Sequence, residues 1–204
     1  MGTSPLDPEL RFRLPLFPLP TVLLPGMHMP LHIFEPRYRQ MVDDCLDGDR
    51  RFGLLYHDWD DQGPFLSEPG RVGCVGEIGE HQALEDGRSL IVVAGVERFR
   101  LVDGIESDSL YFEGLVTPHP DTTVMEGEEL ASRRRESIAL FHSVVASLSD
   151  QPDALPDLDA DRELSFLLAQ TIQVDPKWHQ RLLELTDEGS RLARVDQVLR
   201  AVLK

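Results

Sequence analysis

The hydrophobic pattern of the chain changes its period once, near residue 120, and this change constrains the fold more than any single motif. Before it, short apolar runs are separated by Pro, Gly and Asp; after it, apolar residues recur at three- and four-residue steps. The first pattern is typical of β-strands and the second of amphipathic helices. The sequence therefore predicts an α+β chain in which a β-rich part precedes a helical part.

The first part contains several strand-like runs, interrupted by one predicted helix from Pro36 to Leu46. A β-hairpin is predicted at Asp86-Gly87, which lies between two of the runs. Many short strands at this spacing favour a small barrel or sandwich over a parallel α/β sheet. The runs are FRLPLFPL (12–19), TVLLP (21–25), MPLHIF (29–34), FGLLYHD (52–58), RVGCVGEIGEHQ (71–82), SLIVVAGVERFRLVDG (89–104) and YFEGLVTP (111–118).

Helices are predicted in the second part, where we expect them to pack on one another as a small bundle. They cover 126–150, 161–172, a stretch that begins at Pro176 after the N-cap residue Asp175, and the end of the chain. A Pro- and Asp-rich loop is predicted over 151–161. The composition changes near 118–127, so the predicted parts are residues 10–122 and 123–204. The positions predicted to face inward are Tyr38, Met41, Val42 and Cys45 in the helix of the first part, and Leu130, Ile138, Phe141, Val145, Leu148, Leu164, Leu167, Leu168, Ile172, Leu192, Val195, Leu199 and Val202 in the second.

The charge of the chain disfavours nucleic-acid binding. Its 36 acidic side chains against 20 basic ones give a formal net charge of −16, and a surface this negative repels a polyphosphate. The N-terminal residues do not resemble a signal peptide, and no apolar stretch is long enough to span a bilayer. We therefore expect a cytoplasmic protein that does not insert into a membrane; the sequence leaves the oligomeric state open.

Candidate motifs for metal, cofactor or nucleotide binding are missing from the sequence. Cys45 and Cys74 are the only cysteines, and neither C-x-x-C nor a tight histidine pair is present. A phosphate-binding G-x-x-x-x-G-K-[ST] is also missing. The basic run Arg133-Arg134-Arg135 lies among glutamates, which predicts ion pairs on a solvated helix face. We expect no metal, no cofactor and no catalytic residue.

The stretch MPLHIFEPRYR (29–39) gathers side chains that are common in active sites. If the strand runs through Phe34, His32 and Glu35 point to opposite faces, which argues against a catalytic dyad. Pro36 suits the first turn of a helix, and a carboxylate just before it complements the helix N-terminus. We interpret the stretch as a strand-to-helix corner that supports the fold, with Phe34 buried. A small hydrolase that uses His32, Glu35 or Cys74 is kept as an alternative.

The order of several motifs resembles the N-terminal, substrate-binding domain family of Lon proteases, especially its stand-alone members. The resemblance covers about residues 12–203. The motifs that carry it are LPLFPL (14–19), VLLPG (22–26), PLHIFEPRY (30–38), FGLL (52–55), VGCVGEI (72–78), DGR (86–88), VERFR (96–100), KWHQRLLE (177–184) and SRL (190–192).

This resemblance implies a PUA-like β pseudo-barrel followed by a helical bundle, and a domain that helps to recognise substrate proteins. It implies a non-enzymatic module for unfolded or partner proteins and peptides, because ATPase and peptidase activities belong to other modules of Lon. Binding would use exposed apolar surface, in a groove between the two parts or along a barrel edge. The candidate contact residues are Phe17, Phe34, Tyr38 and Phe65. RNA binding through the PUA-like barrel is the other alternative.

Overall fold

Strand pairing organises the first half of the molecule. The computed structural model describes residues 10–148 and 158–203, and the Cα positions separate into two compact units, Met1–Pro120 and Asp121–Lys204. The strands and helices described in the first unit are β1 (Phe12–Leu19), β2 (His28–Ile33), α1 (Pro36–Asp47), β3 (Arg51–Tyr56), α2 (Trp59–Gln62), β4 (Val72–Ala83), β5 (Ser89–Ile105) and β6 (Phe112–Pro118).

The six strands form one sheet, and five of them close into a ring. Their order is β2-β5-β4-β3-β1-β6, and β5 also pairs with β6. The pairing of β1 with β3 is parallel and the others are antiparallel. The 17-residue β5 closes the ring because it pairs with β4 over Ser89–Arg100 and with β6 over Phe99–Ile105, while its residues Ser89–Ala94 also pair with β2. Strand β2 is thereby left at the edge of the sheet, outside the ring.

Helix α1 covers one of two apolar clusters in this unit. Its four predicted inward residues, Tyr38, Met41, Val42 and Cys45, are all buried, which confirms the predicted face. The second cluster surrounds Phe99, which is fully buried. Two glycines make room for this ring, since a Cβ at Gly53 or Gly73 would lie 2.7 or 2.6 Å from it.

Six of the seven predicted strands are confirmed. The predicted hairpin between β4 and β5 is also present: the Leu84 N–H donates to the Arg88 carbonyl at 2.8 Å, and Gly87 has a φ of 78°. The prediction of a strand over TVLLP was wrong. Residues 22–24 are buried, but they pass through the core as an unpaired segment that turns at Gly26 (φ 78°). Burial alone produces an apolar run, whereas a strand also needs a partner.

Helices make up the regular structure described in the second unit. They are α3 (Gly127–Leu148), α4 (Ser165–Gln170), α5 (Pro176–Glu184) and α6 (Glu188–Val202). Helix α6 contacts α3 and α4. The predicted cap of α5 is confirmed, because the Asp175 side chain accepts a hydrogen bond from the Lys177 N–H at 2.8 Å. No helix among the described residues is both long enough and apolar enough to cross a bilayer.

Some predicted inward positions of these helices were wrong. Leu148, Leu167 and Val202 are exposed, while Val144 and Phe166 are buried instead. Helix α4 has only six residues, so a periodicity assumed over 161–172 extends past both of its ends. The predicted loop over 151–161 lies partly outside the described residues. The remaining inward positions are buried or half-buried.

The arginine run of α3 binds other helices, contrary to the prediction of a solvated face. Arg133 donates to Asp196 at 2.8 Å, and Arg134 donates to both oxygens of Glu188 at 2.9 and 2.6 Å. Both carboxylates lie on α6 and are buried. The predicted local pairs are present in part: Arg135 pairs with the exposed Glu128, and Arg133 also lies 3.8 Å from the exposed Glu136. The run therefore stabilises the contact between α3 and α6.

Candidate functional site

The four aromatic residues predicted to contact a peptide have different environments. Phe17 and Tyr38 are buried in the cluster under α1, where their ring centroids are 4.1 Å apart. Phe65 is buried in the other cluster, 4.7 Å from the Phe112 ring. Phe34 is 58% exposed. The structure therefore brings Phe17 and Tyr38 together, places Phe65 elsewhere, and presents only Phe34 to solvent.

Phe17, Tyr38 and Phe34 border one small cavity. Its volume is about 130 Å³, and its other lining residues are Leu19, Leu31, His32, Ile33 and Glu35. The Tyr38 hydroxyl is buried and has no hydrogen-bond partner among the described residues. Burial raises the pKa of Tyr38 to about 12, so the hydroxyl stays protonated and keeps its donor. The cavity lining thus combines apolar side chains with His32 and Glu35.

The predicted strand-to-helix corner is present, but the prediction that Phe34 is buried there was wrong. Strand β2 ends at Ile33, which is buried, and α1 begins at Pro36. The two residues between them leave the strand pattern, so the Phe34 ring lies 5.7 Å from the ring of His32 and stays largely in solvent. An exposed phenylalanine beside an apolar cavity is a feature of binding surfaces.

The side chains considered for hydrolysis do not form a nucleophile–base pair. His32 and Glu35 border the same cavity, because Glu35 lies beyond the end of the strand, but neither a hydrogen bond nor an ion pair joins these two residues. Glu35 accepts a hydrogen bond from the Arg37 Nε at 2.9 Å. Cys74 is fully buried, and burial raises its pKa above the ordinary thiol range. A thiol in this state is a poor nucleophile.

A second cavity lies beside β2 and was not found from the sequence. Its volume is about 450 Å³, and Leu90, which is 44% exposed, lies in its wall. Its lining comes from three neighbouring strands: Pro30, Leu31 and His32 of β2, Glu80, His81 and Gln82 of β4, and Leu90, Ile91 and Val92 of β5. The alternation of β5 marks Leu90 as a surface position, but the cross-strand neighbours depend on the register.

The described residues contain no candidate metal site. No group of three or more His, Cys, Asp or Glu side chains within 10–148 and 158–203 is arranged to hold an ion. The chemistry that the two cavities offer is instead apolar contact, with hydrogen bonding from the unpaired edge of the β2 backbone.

Comparison with protein families identifies a match over most of the chain. Residues 13–201 match the model of the ATP-dependent protease La (LON) substrate-binding domain. A Lon protease of Trichlorobacter lovleyi is 30% identical over 198 residues, which are 94% of this chain and 24% of that protein. A Lon protease of Cytophaga hutchinsonii is 24% identical over 91% of this chain and 24% of its own length. The chain thus spans about a quarter of the length of these relatives.

Solved structures share this fold. The N-terminal domain of a Lon protease of the Mycobacterium avium complex superposes with a TM-score of 0.68 at 17% identity, over 93% of this chain and 98% of that domain. A Lon N-terminal domain protein from Xanthomonas campestris gives 0.64 at 24% identity, with the same coverage. The motifs, the mixed α+β fold and the family match agree, and the chain belongs to the Lon substrate-binding domain family.

Proposed function

We propose that the chain is a non-catalytic module that binds unfolded or partner proteins and peptides in the cytoplasm. The observation that carries this proposal is the match of residues 13–201 to a substrate-binding domain. The buried thiol of Cys74 and the Arg37-bound carboxylate of Glu35 favour binding over hydrolysis. The net charge of −16 favours protein over nucleic acid as the partner.

The architecture that goes with this function is a PUA-like pseudo-barrel over 10–122 and a helical bundle over 123–204. The ring of pairings through β1, β3, β4, β5 and β6 supports the first assignment. The contacts of α6 with α3 and α4 support the second. Asp121 and Thr122 hydrogen-bond to Arg191 and Thr186, within the second compact unit, so we place the working boundary one or two residues earlier than the sequence suggests.

The binding surface that we propose is centred on Phe34 and the cavity beside it. Phe34 supplies an exposed aromatic ring, and Phe17 and Tyr38 supply buried cavity walls. Aromatic side chains next to a preformed apolar cavity are common anchors of protein interfaces. Phe65 remains a candidate only in a supporting role, because it is packed in the other cluster.

Fluorescence anisotropy with a permanently unfolded protein tests the proposal. The probe is labelled lysozyme that has been reduced and carbamidomethylated, and native lysozyme is the folded control. We expect the full chain to bind the unfolded form preferentially, and Phe34→Ser to raise the Kd by about tenfold, as for an interface anchor. Leu110→Ser is the matched control, because Leu110 is 65% exposed in the same unit but borders neither cavity beside β2. Equal binding of native and unfolded lysozyme, or none, would refute the proposal.

A further inference from the structure

Strand β2 has a free edge. It pairs with β5 on one side, and among residues 10–148 and 158–203 no strand pairs with its other side. The backbone N–H and C=O groups along such an edge can accept an additional extended chain. Pro30, in the middle of β2, has no N–H to donate. The edge is therefore competent for pairing, but less so than an uninterrupted strand would be.

The two cavities flank this edge from opposite faces of the sheet. Met29 and Ile33 of β2 are buried toward the core, whereas Pro30 and His32 are exposed on the other face. On that outer face, Pro30 pairs with Val92 and His32 with Leu90, and these four residues border the 450 Å³ cavity. Leu31 and His32 border both cavities. The alternation of side chains along a strand thus gives β2 one cavity on each face.

The negative charge of the chain determines which kind of peptide segment the β2 edge attracts. The acidic side chains that line the two cavities are Glu80 and Glu35, of which Glu35 is already ion-paired with Arg37 at 2.8 Å. The chain as a whole carries −16, which attracts basic partners over distances set by the ionic strength. The same charge opposes pairing of this edge with a second copy of the chain.

We propose that the free edge of β2 binds an extended peptide segment as an added strand, and that the segment combines apolar side chains with flanking lysines or arginines. Alternate side chains of the segment enter the outer cavity at Leu90 and the inner cavity at Phe34, while its backbone pairs with β2. This inference rests on the proposed function and deepens it, because it states the conformation and the charge of the segment that is recognised.

A set of peptides of about eight residues, the length of a typical strand, tests the pairing. The parent probe is acetyl-Lys-Lys-Leu-Val-Leu-Ile-Lys-Lys-amide with a fluorescent label, and the charge control has glutamate in place of each lysine. Two further versions carry N-methyl groups on alternating amides of the apolar run, one version for each edge of the extended peptide. All four are titrated into the full chain by anisotropy.

We expect the lysine peptide to bind at least about tenfold more tightly than the glutamate peptide, and at least one N-methylated version to lose about tenfold in affinity. Leu90→Asp should weaken the parent peptide by about tenfold, whereas Leu110→Asp should leave its Kd within about twofold. Equal affinity for all four peptides, or no binding of the parent peptide, would overturn the inference.

The outcome of these titrations is separable from that of the proposed function. If unfolded lysozyme binds but neither N-methylation nor Leu90→Asp has an effect, strand addition is refuted and protein binding stands. If unfolded lysozyme does not bind, the proposed function fails, and the lysine peptide still decides whether the edge pairs. Sedimentation velocity of the free chain tests whether a second copy of the chain occupies the edge instead of a peptide. A dimer that Leu90→Asp dissociates would show that it does, and would also refute the inference.

Discussion

The two compact units of the molecule are stabilised by different interactions. The first closes five strands into a ring around apolar clusters, and Phe99 at the centre of one cluster is completely buried. The second also buries apolar side chains such as Leu182, Leu192 and Val195, and it adds arginines of α3 and α6 that bind the carboxylates of Asp196, Glu188 and Asp121. One chain therefore combines a unit built on apolar clusters with a unit that adds ion pairs to its apolar core, and the two respond differently to substitution and to pH.

Arg191 on α6 is the centre of the ion pairs in the second unit. Its side chain is 0% exposed and donates to both oxygens of Asp121, at 2.7 and 2.6 Å. It also donates to the Ser165 hydroxyl at 2.7 Å and stacks over the Phe166 ring at 4.4 Å. Every hydrogen bond here helps to offset the cost of removing a guanidinium from water.

The largest expected effect is in the first unit. Phe99→Ala should lower the free energy of unfolding of the full chain by about 3–5 kcal/mol, because it leaves a cavity between Gly53 and Gly73 that the closed ring cannot collapse to fill. Urea unfolding followed by circular dichroism measures this. Phe112, half-buried at the margin of the same cluster, gives a control, Phe112→Ala, with a smaller expected loss. A loss under about 1 kcal/mol for Phe99→Ala would contradict the assigned core.

Next in size is the removal of the central ion pair of the second unit. Arg191→Met should cost about 2–3 kcal/mol, because it leaves carboxylates without their partner. The expected cost is below the range for fully buried pairs, since the Asp121 side chain is 40% exposed. Arg135→Met, which breaks an exposed pair with Glu128, is the matched control and should change stability by less than about 0.5 kcal/mol. Equal effects of the two substitutions would refute the special role of Arg191.

A smaller effect is the pH dependence of stability, which has opposite signs at one glutamate of each unit. In the first unit, the hydrogen bond from Arg13 lowers the pKa of Glu113. The unfolded chain then binds more protons below the ordinary glutamate pKa, so the stabilising contribution of Glu113 is present above about pH 4.5 and is lost as the pH falls. In the second unit, partial loss of hydration raises the pKa of Glu163, whose side chain is 40% exposed. The folded chain binds more protons above about pH 4.5, so the contribution of Glu163 to stability falls as the pH rises.

Glutamine variants separate these two dependences. Relative to the parent chain, Glu113→Gln should lose stability as the pH rises from about 3 to 6, and Glu163→Gln should gain stability over the same range. We expect a change of about 1 kcal/mol or less for Glu113→Gln, because its partner Arg13 is mostly exposed. Urea unfolding at several pH values measures both. If the stabilities of both variants, relative to the parent chain, changed in the same direction with pH, the opposite signs of the two pKa shifts would be contradicted.

The smallest expected effect on stability is at the proposed binding surface. Phe34→Ala should change the free energy of unfolding by less than about 0.5 kcal/mol, because the ring is largely in solvent. A thermal melt compares it with Phe17→Ala, which removes a buried ring from the same cavity wall and should cost about 3–5 kcal/mol. A large loss for Phe34→Ala would restore the structural role that the sequence alone suggested.

The sequence predicts the elements of the first unit better than its surface. Strands such as β5 were found because their apolar runs alternate and end at Gly, Pro or Asp. TVLLP was misassigned because residues 22–24 are buried without a partner strand. The cavity at Leu90 depends on which residues of β2 and β4 lie opposite it, and a single sequence does not fix this register.

In the second unit, the partners of the charged residues were predicted less well from the sequence than the helices themselves. Arg191 lies in a predicted helix, but hydropathy marks arginine as a surface residue, and its carboxylate partner Asp121 is 70 positions away. Arg133 and Arg134 have glutamates nearby in sequence, which suggested local pairs. In the structure Arg133 lies 3.8 Å from Glu136, but the shorter bonds of the two arginines reach Asp196 and Glu188 on α6. Interactions that cross between helices cannot be read from local spacing.

Hydrogen exchange of the full chain, with and without unfolded lysozyme, shows which unit contacts the added protein. We expect the added protein to slow amide exchange in β2 and in residues 89–92 of β5, within the first unit. Exchange in α3 and α6 should change little, because we assign the ion pairs of the second unit to its stability and not to binding. Slower exchange confined to α3 and α6, in the presence of measurable binding, would refute binding at β2.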